Sequence, residues 1–392
     1  VAVAVGNSAA VLAQEGHFTQ ARALRQQALE IQQRSLGKNH PQVASSMQSL
    51  AAVLEMQGEY LQAIELVQQS LVIQKATLPA NHPDLASTLH TAGKVYHRMG
   101  WKQHAEVALR ESLRIREHSF GQIHLKVAES LSMLAVLLED NGQYEESEQL
   151  CVRALHIRQS DSPLADGCHP GRALELAASL GNLASLLLRK GDLETAWRHA
   201  QSALRTRTRI QGSSHPDVAV ASNNAGEILK AIGRFPEAVE HYELALRVWS
   251  IQFGNAHPHV AMTLLNMGQV QESMGKVAAA EQYILRALGV LDRCLAKDAS
   301  SISESEDASG SRLVTGNGQC AEHHRPVLGV LLNNIAVFYH RHGRFVEAVH
   351  HMQRAVDLRT ESIGIHHQDT RNSIDRLHSL KAALREQSNN SQ

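Results

Sequence analysis

Glycine followed two residues later by an aromatic or apolar residue returns along this chain at a nearly fixed step. It occurs as Gly16-His17-Phe18, Gly58-Glu59-Tyr60, Gly142-Gln143-Tyr144, Gly191-Asp192-Leu193, Gly233-Arg234-Phe235, Gly275-Lys276-Val277 and Gly343-Arg344-Phe345. Gly100-Trp101-Lys102 fills the remaining slot. The steps are 42, 42, 42, 49, 42, 42 and 68 residues, which defines eight units. A unit of this length holds two short helices, and one such pair cannot bury its own apolar face. The chain is therefore expected to fold as an all-α solenoid of about eight antiparallel hairpins. With only 4% aromatic residues and an Ala-, Leu-, Gln-, Arg- and Glu-rich makeup, it does not read as a β-sandwich.

A second marker keeps the same rhythm: an apolar residue, Gly, two residues, then His-Pro. Leu36-Gly37 with His40-Pro41 and Phe253-Gly254 with His257-Pro258 are full copies; His82-Pro83, His124, His169-Pro170, His215-Pro216 and His367 belong to partial ones. Proline is tolerated at the first helical position, so His-Pro predicts the start of helix A. The mid-unit Gly predicts its end, in a left-handed conformation. Small residues recur five positions after that Gly (Ala21, Ala63, Ala105, Ser147, Ala196, Ala238, Ala280, Ala348). They recur again seven before it (Ala9, Ala51, Gly93, Ala135, Ala184, Gly226, Gly268, Ala336), so helices A and B are expected to approach closely there.

Two breaks interrupt the period. A longer loop is expected around Asp161 to Cys168, and a Ser- and acid-rich insertion at 298–324 is expected to be disordered. The layout is then seven hairpins over 1–297, the insertion, an eighth hairpin at 325–365, a capping helix at 366–386 and a loose tail at 387–392. Ser301 and Ser303 each have Glu three residues on, a pattern suited to phosphorylation by acid-directed kinases. The acidic insertion is expected to be able to lie in the array's own groove and compete with a ligand. The chain starts without Met and reads as a piece of a longer protein.

These residues resemble the tetratricopeptide repeat, and the 42-residue form with Leu-Gly-x-x-His-Pro is similar to that of kinesin light chains and nephrocystin-3-like proteins. The final unit, from Val330 to Tyr339 with Gly343-Arg344-Phe345 and Glu347-Ala348, is close to that form. The light chains also carry an insertion before their last repeat, but have six repeats, not eight, and an N-terminal coiled coil with no counterpart here. The resemblance implies a right-handed superhelix whose helices A line a concave groove for extended peptides. It further implies an adaptor for cargo, with kinesin heavy chain reached through a region outside this sequence. Nephrocystin-3-like or generic scaffolding, and a regulatory array within a larger signalling or nucleotide-switch enzyme, are the alternatives.

In related domains an Asn nine residues before the turn Gly bonds the ligand backbone; here that position holds Asn7, Asn182, Asn224, Asn266 and Asn334. Lys94, Arg98, Arg189, Lys230 and Arg341 fall on the same face, with Glu55, Glu139, Glu227 and Glu272 as the acids beside them. Such a face favours acidic peptides. No phosphate-binding, nucleophile-elbow or metalloprotease motif occurs, so the chain reads as non-enzymatic, with no cofactor. The 24 His include about six explained by the His-Pro marker, and adjacent His on a helix diverge by about 100°, so no metal site is expected. Balanced charge, 38 Lys+Arg against 39 Asp+Glu, argues against nucleic acid, and no apolar run spans a membrane. Four unpatterned Cys point to a reducing compartment, hence the cytoplasm, with cytoskeletal association if the light-chain likeness extends to function.

Overall fold

Proline cannot extend a helix backwards, and a left-handed Gly cannot extend one forwards; between these two stops the chain winds into helices of similar length. A computed structural model describes residues 2–14, 17–160, 170–303, 325–365 and 367–390. It divides into two compact units, Val1–Lys190 and Gly191–Gln392. The first holds α1 (Ala2–Gln14), α2 (Phe18–Leu36), α3 (Pro41–Met56), α4 (Tyr60–Thr77), α5 (Pro83–Arg98), α6 (Lys102–Phe120), α7 (Leu125–Asp140), α8 (Tyr144–Ser160) and α9 (Pro170–Lys190). The second holds α10 (Leu193–Gln211), α11 (Pro216–Ile232), α12 (Phe235–Phe253), α13 (Pro258–Ser273), α14 (Val277–Ser303), α15 (Arg325–Arg341), α16 (Phe345–Ile363) and α17 (Gln368–Asn390). Among the described residues there is no strand.

Odd-numbered helices are A helices and even-numbered ones B helices. In each unit A pairs with its own B, B packs on the next A, and neighbouring A helices also touch, as α3 with α5 and α13 with α15. The A helices thus form one layer of each unit. Helix α17 packs on α16 where the A helix of a further hairpin would lie.

The His of the His-Pro joint has a role that its sequence position did not reveal. His40, His82, His124, His215, His257 and His367 each stand immediately before an A-type helix, and Nδ1 of each accepts the backbone N–H two residues on, at 3.1–3.2 Å. Each imidazole therefore satisfies one orphan donor of the first turn, the task more often given to Ser, Thr, Asp or Asn. The described turn glycines adopt φ between 72° and 91°, as the spacing predicted.

The small residues five positions after the turn are fully buried in every hairpin. A third small position, twelve after the turn, is buried as well: Ala28, Ser70, Ser112, Ala154, Ala203, Ala245, Ala287 and Ala355. Where it is Ser, the hydroxyl bonds the facing A helix: Ser70 Oγ donates to Ala44 O at 2.8 Å and Ser112 Oγ to Ala86 O at 2.7 Å. Glycine appears at the seven-before position where its neighbour is bulky. A Cβ on Gly226 would lie 2.8 Å from the Tyr242 ring, and one on Gly93 would lie 2.5 Å from Leu109.

Successive hairpins are joined by a polar clasp. Arg116, 2% exposed, donates to Lys126 O and Ser130 Oγ, both at 2.8 Å, and Arg359 reaches Asp369 O at 2.9 Å and the Ser373 hydroxyl. Arg158 spans two A helices through Ser132 and Ser179. Each guanidinium brings fork-shaped donors to carbonyl and hydroxyl oxygens of adjoining helices.

Two boundaries differ from the sequence reading. Helix α14 runs on to Ser303, so the first residues of the 298–324 stretch continue a helix; α17 runs on to Asn390, into the segment expected to be a loose tail. In both places the added residues prolong a helix that has already nucleated, so each needs only one further backbone hydrogen bond. The expected loop near 161–168 and the rest of the insertion lie outside the described residues.

Because the Gly226 site is closed by an aromatic ring, Gly226→Ala is expected to lose about 1–3 kcal/mol of stability through overpacking. Chemical denaturation checks this. In a Tyr242→Val background, which imitates the Ala51 and Val67 pair, the loss is expected to vanish.

Candidate binding face on the A helices

The five Asn singled out by their register lie midway along A helices α1, α9, α11, α13 and α15, and they do not share one environment. Asn7 and Asn224 are exposed; Asn182 and Asn334 are half-buried. Asn266 is only 5% exposed, and its Nδ2 donates to Asn223 Oδ1 at 3.0 Å and Glu227 Oε1 at 3.4 Å. It ties α13 to α11. Gln48 makes the corresponding link in the first unit, donating to Thr91 Oγ1 at 2.8 Å. A buried amide with its partners satisfied holds helices together, whereas the exposed amide of Asn224 is free to meet a ligand.

The cations of this face have acidic or amide partners. Lys94 Nζ lies 2.9 Å and Arg98 Nε 3.3 Å from the Glu55 carboxylate of the preceding A helix. Arg189 lies 2.9 Å from Glu139 and 3.9 Å from Asp140; Arg341 lies 3.8 Å from Glu272, which also meets His342 at 3.1 Å. Lys230 donates to Gln269 Oε1 at 2.6 Å, and burial lowers its pKa against the pull of Glu227 and Glu272. Burial raises the pKa of Glu139, with Arg189 opposing. The acids that looked like exceptions are thus the partners: a Glu three residues before one turn Gly meets a cation two before the next. That period was present in the sequence as Glu55 with Arg98, Glu139 with Arg189, and Glu272 with Arg341. Mutual neutralisation leaves this face less positive than the cations alone suggested.

Between α13 and α15 the layer opens into a cleft of about 110 Å³. Asn334 and Arg341 line it together with Gln269 and Glu272, over apolar walls that include Leu265 and Phe338. Amide, guanidinium and carboxylate converge there on one apolar floor, in a space that would take about one side chain. Asn7, Asn182, Lys94, Arg98 and Arg189 fall in the other unit.

The remaining candidates are structural or undescribed. Cys151 is 6% exposed, and burial pushes its thiol up to about 12, with Glu139 and Glu148 adding to the effect, so it packs as a small apolar group. Ser301 and Ser303 lie in the last turn of α14. His351 is 8% exposed and stacks on Tyr339 at 5.5 Å between ring centroids. Burial, aided by His350 and Arg354, lowers its pKa to about 4, against Asp292 and Glu347. Among the described residues no group of His, Cys, Asp and Glu is arranged to hold a metal ion, and no helix is long and apolar enough to cross a membrane.

Comparison with known proteins agrees with this architecture. A tetratricopeptide-repeat family model matches residues 1–76, 50–118, 175–250 and 221–293, and a second tetratricopeptide-repeat model matches 127–160 and 330–369. Among solved structures, the chain is similar to a Rap protein complexed with competence and sporulation factor, at 16% identity and TM-score 0.56, covering 98% of this chain and 99% of that one. It is similar also to the apo form of RapI, at 14% identity and TM-score 0.57, covering 92% and 98%. A putative kinesin light chain of Podospora anserina with nearly identical TPR-like repeats matches at 24% identity and TM-score 0.45, covering 55% and 98%. At 14–16% identity the likeness to the two Rap proteins is one of fold. No curated protein matches the chain in sequence.

Two measurements follow. Asn266→Ala leaves Asn223 without its amide partner and is expected to cost about 1 kcal/mol, while the exposed Asn224→Ala changes stability by less than about 0.5 kcal/mol, both read by urea denaturation. His351 is held neutral in the folded state, so its contribution is complete above its ordinary value of 6.5 and is lost as pH falls from there towards 4. The urea midpoint is expected to drop over that window, and to drop less in His351→Phe, which keeps the stack on Tyr339.

Proposed function

The chain belongs to the tetratricopeptide-repeat family, and from that premise we propose that it is a non-catalytic adaptor that holds extended peptide segments of other proteins along its A helices. The repeat fold generally serves protein–protein interaction. The observation that carries the reading here is the cleft between α13 and α15, where Asn334 and Arg341 meet Gln269 and Glu272 above an apolar floor. An extended segment supplies backbone donors and acceptors to such groups and one apolar side chain to the floor. Since the cations of this face already face carboxylates or an amide, the ligand is read through its backbone and one anchor side chain more than through net negative charge. The finer role we assign is that of an adaptor of the kinesin light chain type, which hands a bound cargo protein to a larger assembly. It is supported by the 42-residue period and the apolar-Gly-x-x-His-Pro joint.

The test is a peptide selected from a random display library on the full chain, then measured by fluorescence anisotropy against wild type, Asn334→Ala and Arg341→Ala. Each variant is expected to weaken binding about tenfold. Unchanged affinity in both would remove the A-helix layer as the binding face.

A further inference from the structure

The opposite layer carries a larger opening. Between the B helices α12 and α14 lies a groove of about 560 Å³, the size of many ligand-binding clefts. Its apolar lining comes from Leu246, Val260, Leu264, Leu285 and Val290. Leu285 is 54% exposed, an apolar side chain left facing solvent at the edge of this opening.

The opening has a cause in the sequence. Fourteen residues after the turn Gly, other B helices carry a side chain with a Cβ and more, as Val72, Arg114, His156, Arg205 and Arg247. In α14 that position is Gly289, in the middle of a helix, where glycine costs about 1 kcal/mol relative to Ala. No close packing demands it: a Cβ there would meet only Arg293 Nη1, at 3.7 Å. This separates it from Gly226 and Gly93, whose neighbours leave no room.

The charge of the groove also differs from that of the A-helix layer. Arg286 and Arg293 line it and are exposed; Arg286 lies 5.6 Å from the Tyr283 ring centroid, and among the described residues neither guanidinium has a carboxylate partner. An apolar trough flanked by two uncompensated guanidinium groups complements a segment that presents aliphatic side chains on one side and carboxylates beside them.

We propose that this groove is a second docking surface, which takes an acidic amphipathic segment of a partner protein: its aliphatic side chains lie over Gly289 and its carboxylates pair with Arg286 and Arg293. It is separate from the A-helix cleft, so one chain can hold two different partners at once. The probe is a fluorescein-labelled amphipathic peptide with two leucines one helical turn apart, flanked by glutamates, measured by anisotropy against the full chain. Gly289→Leu fills the trough and is expected to weaken binding about tenfold without lowering the melting temperature, since it removes a helical glycine. Arg286→Glu with Arg293→Glu is expected to do the same by charge, and to remove the salt dependence of binding. Asn334→Ala and Arg341→Ala are expected to leave it unchanged. Equal affinity in the groove variants overturns the proposal. Loss in the Asn334 and Arg341 variants alone moves the probe to the A-helix layer, which overturns this proposal and leaves the first reading standing. Binding that emerges only after 304–324 is replaced by a neutral linker assigns the groove to the chain's own Glu304, Glu306 and Asp307, and overturns the partner.

Discussion

Helices A and B of each hairpin meet backbone to backbone where side chains are small, five and twelve residues beyond the turn and seven before it. That approach is the constraint on which the other features depend. It sets the spacing at which large apolar residues interlock, and it brings the Ser70 and Ser112 hydroxyls within reach of carbonyls on the facing helix. Where one member of the contact grows, the other shrinks to nothing, as Tyr242 against Gly226. The two helices of a hairpin are thus closely fitted, yet the pair cannot bury its whole apolar face alone. What the neighbour contributes is burial of the remaining face and closure of the seam by Arg116, Arg158 or Arg359.

The period, the helix ends and the close contacts could be read from one chain because each has a local cause: a positive φ, a proline ring, an absent side chain. The candidate binding face was harder. The Asn register was visible, but whether an amide faces solvent or a neighbouring helix depends on the residue one position earlier in the preceding repeat. Asn223 is there to receive Asn266, and nothing in the register alone said so. The cations were visible as well, yet their partners sit 39 to 69 residues away and become neighbours only when A helices stack. The signal was in the sequence as a second period, one step out of phase with the first. The histidine caps were missed for a different reason: His is not a customary capping residue, and its Nδ1 makes the bond whether proline follows, as after His40, or not, as after His124 and His367.

A stacked array has two faces and can load them differently. Here the A-helix layer places each acid against a basic or amide partner and offers amides and one apolar cleft. The B-helix side of the second unit leaves two arginines uncompensated beside an apolar trough. The same repeat produces both, because a single substitution in register, such as Gly289, changes one face of one hairpin and leaves the packing of the rest intact.

The six capping imidazoles, His40, His82 and His124 in the first unit and His215, His257 and His367 in the second, use the same nitrogen for the same bond. A neutral imidazole carries one ring N–H, so a bond accepted at Nδ1 leaves that hydrogen on Nε2 and selects one tautomer at each of these joints. The cap therefore does two things at once: it satisfies the first turn of the helix and it leaves a ring N–H as a second donor, which an Asp cap would not supply.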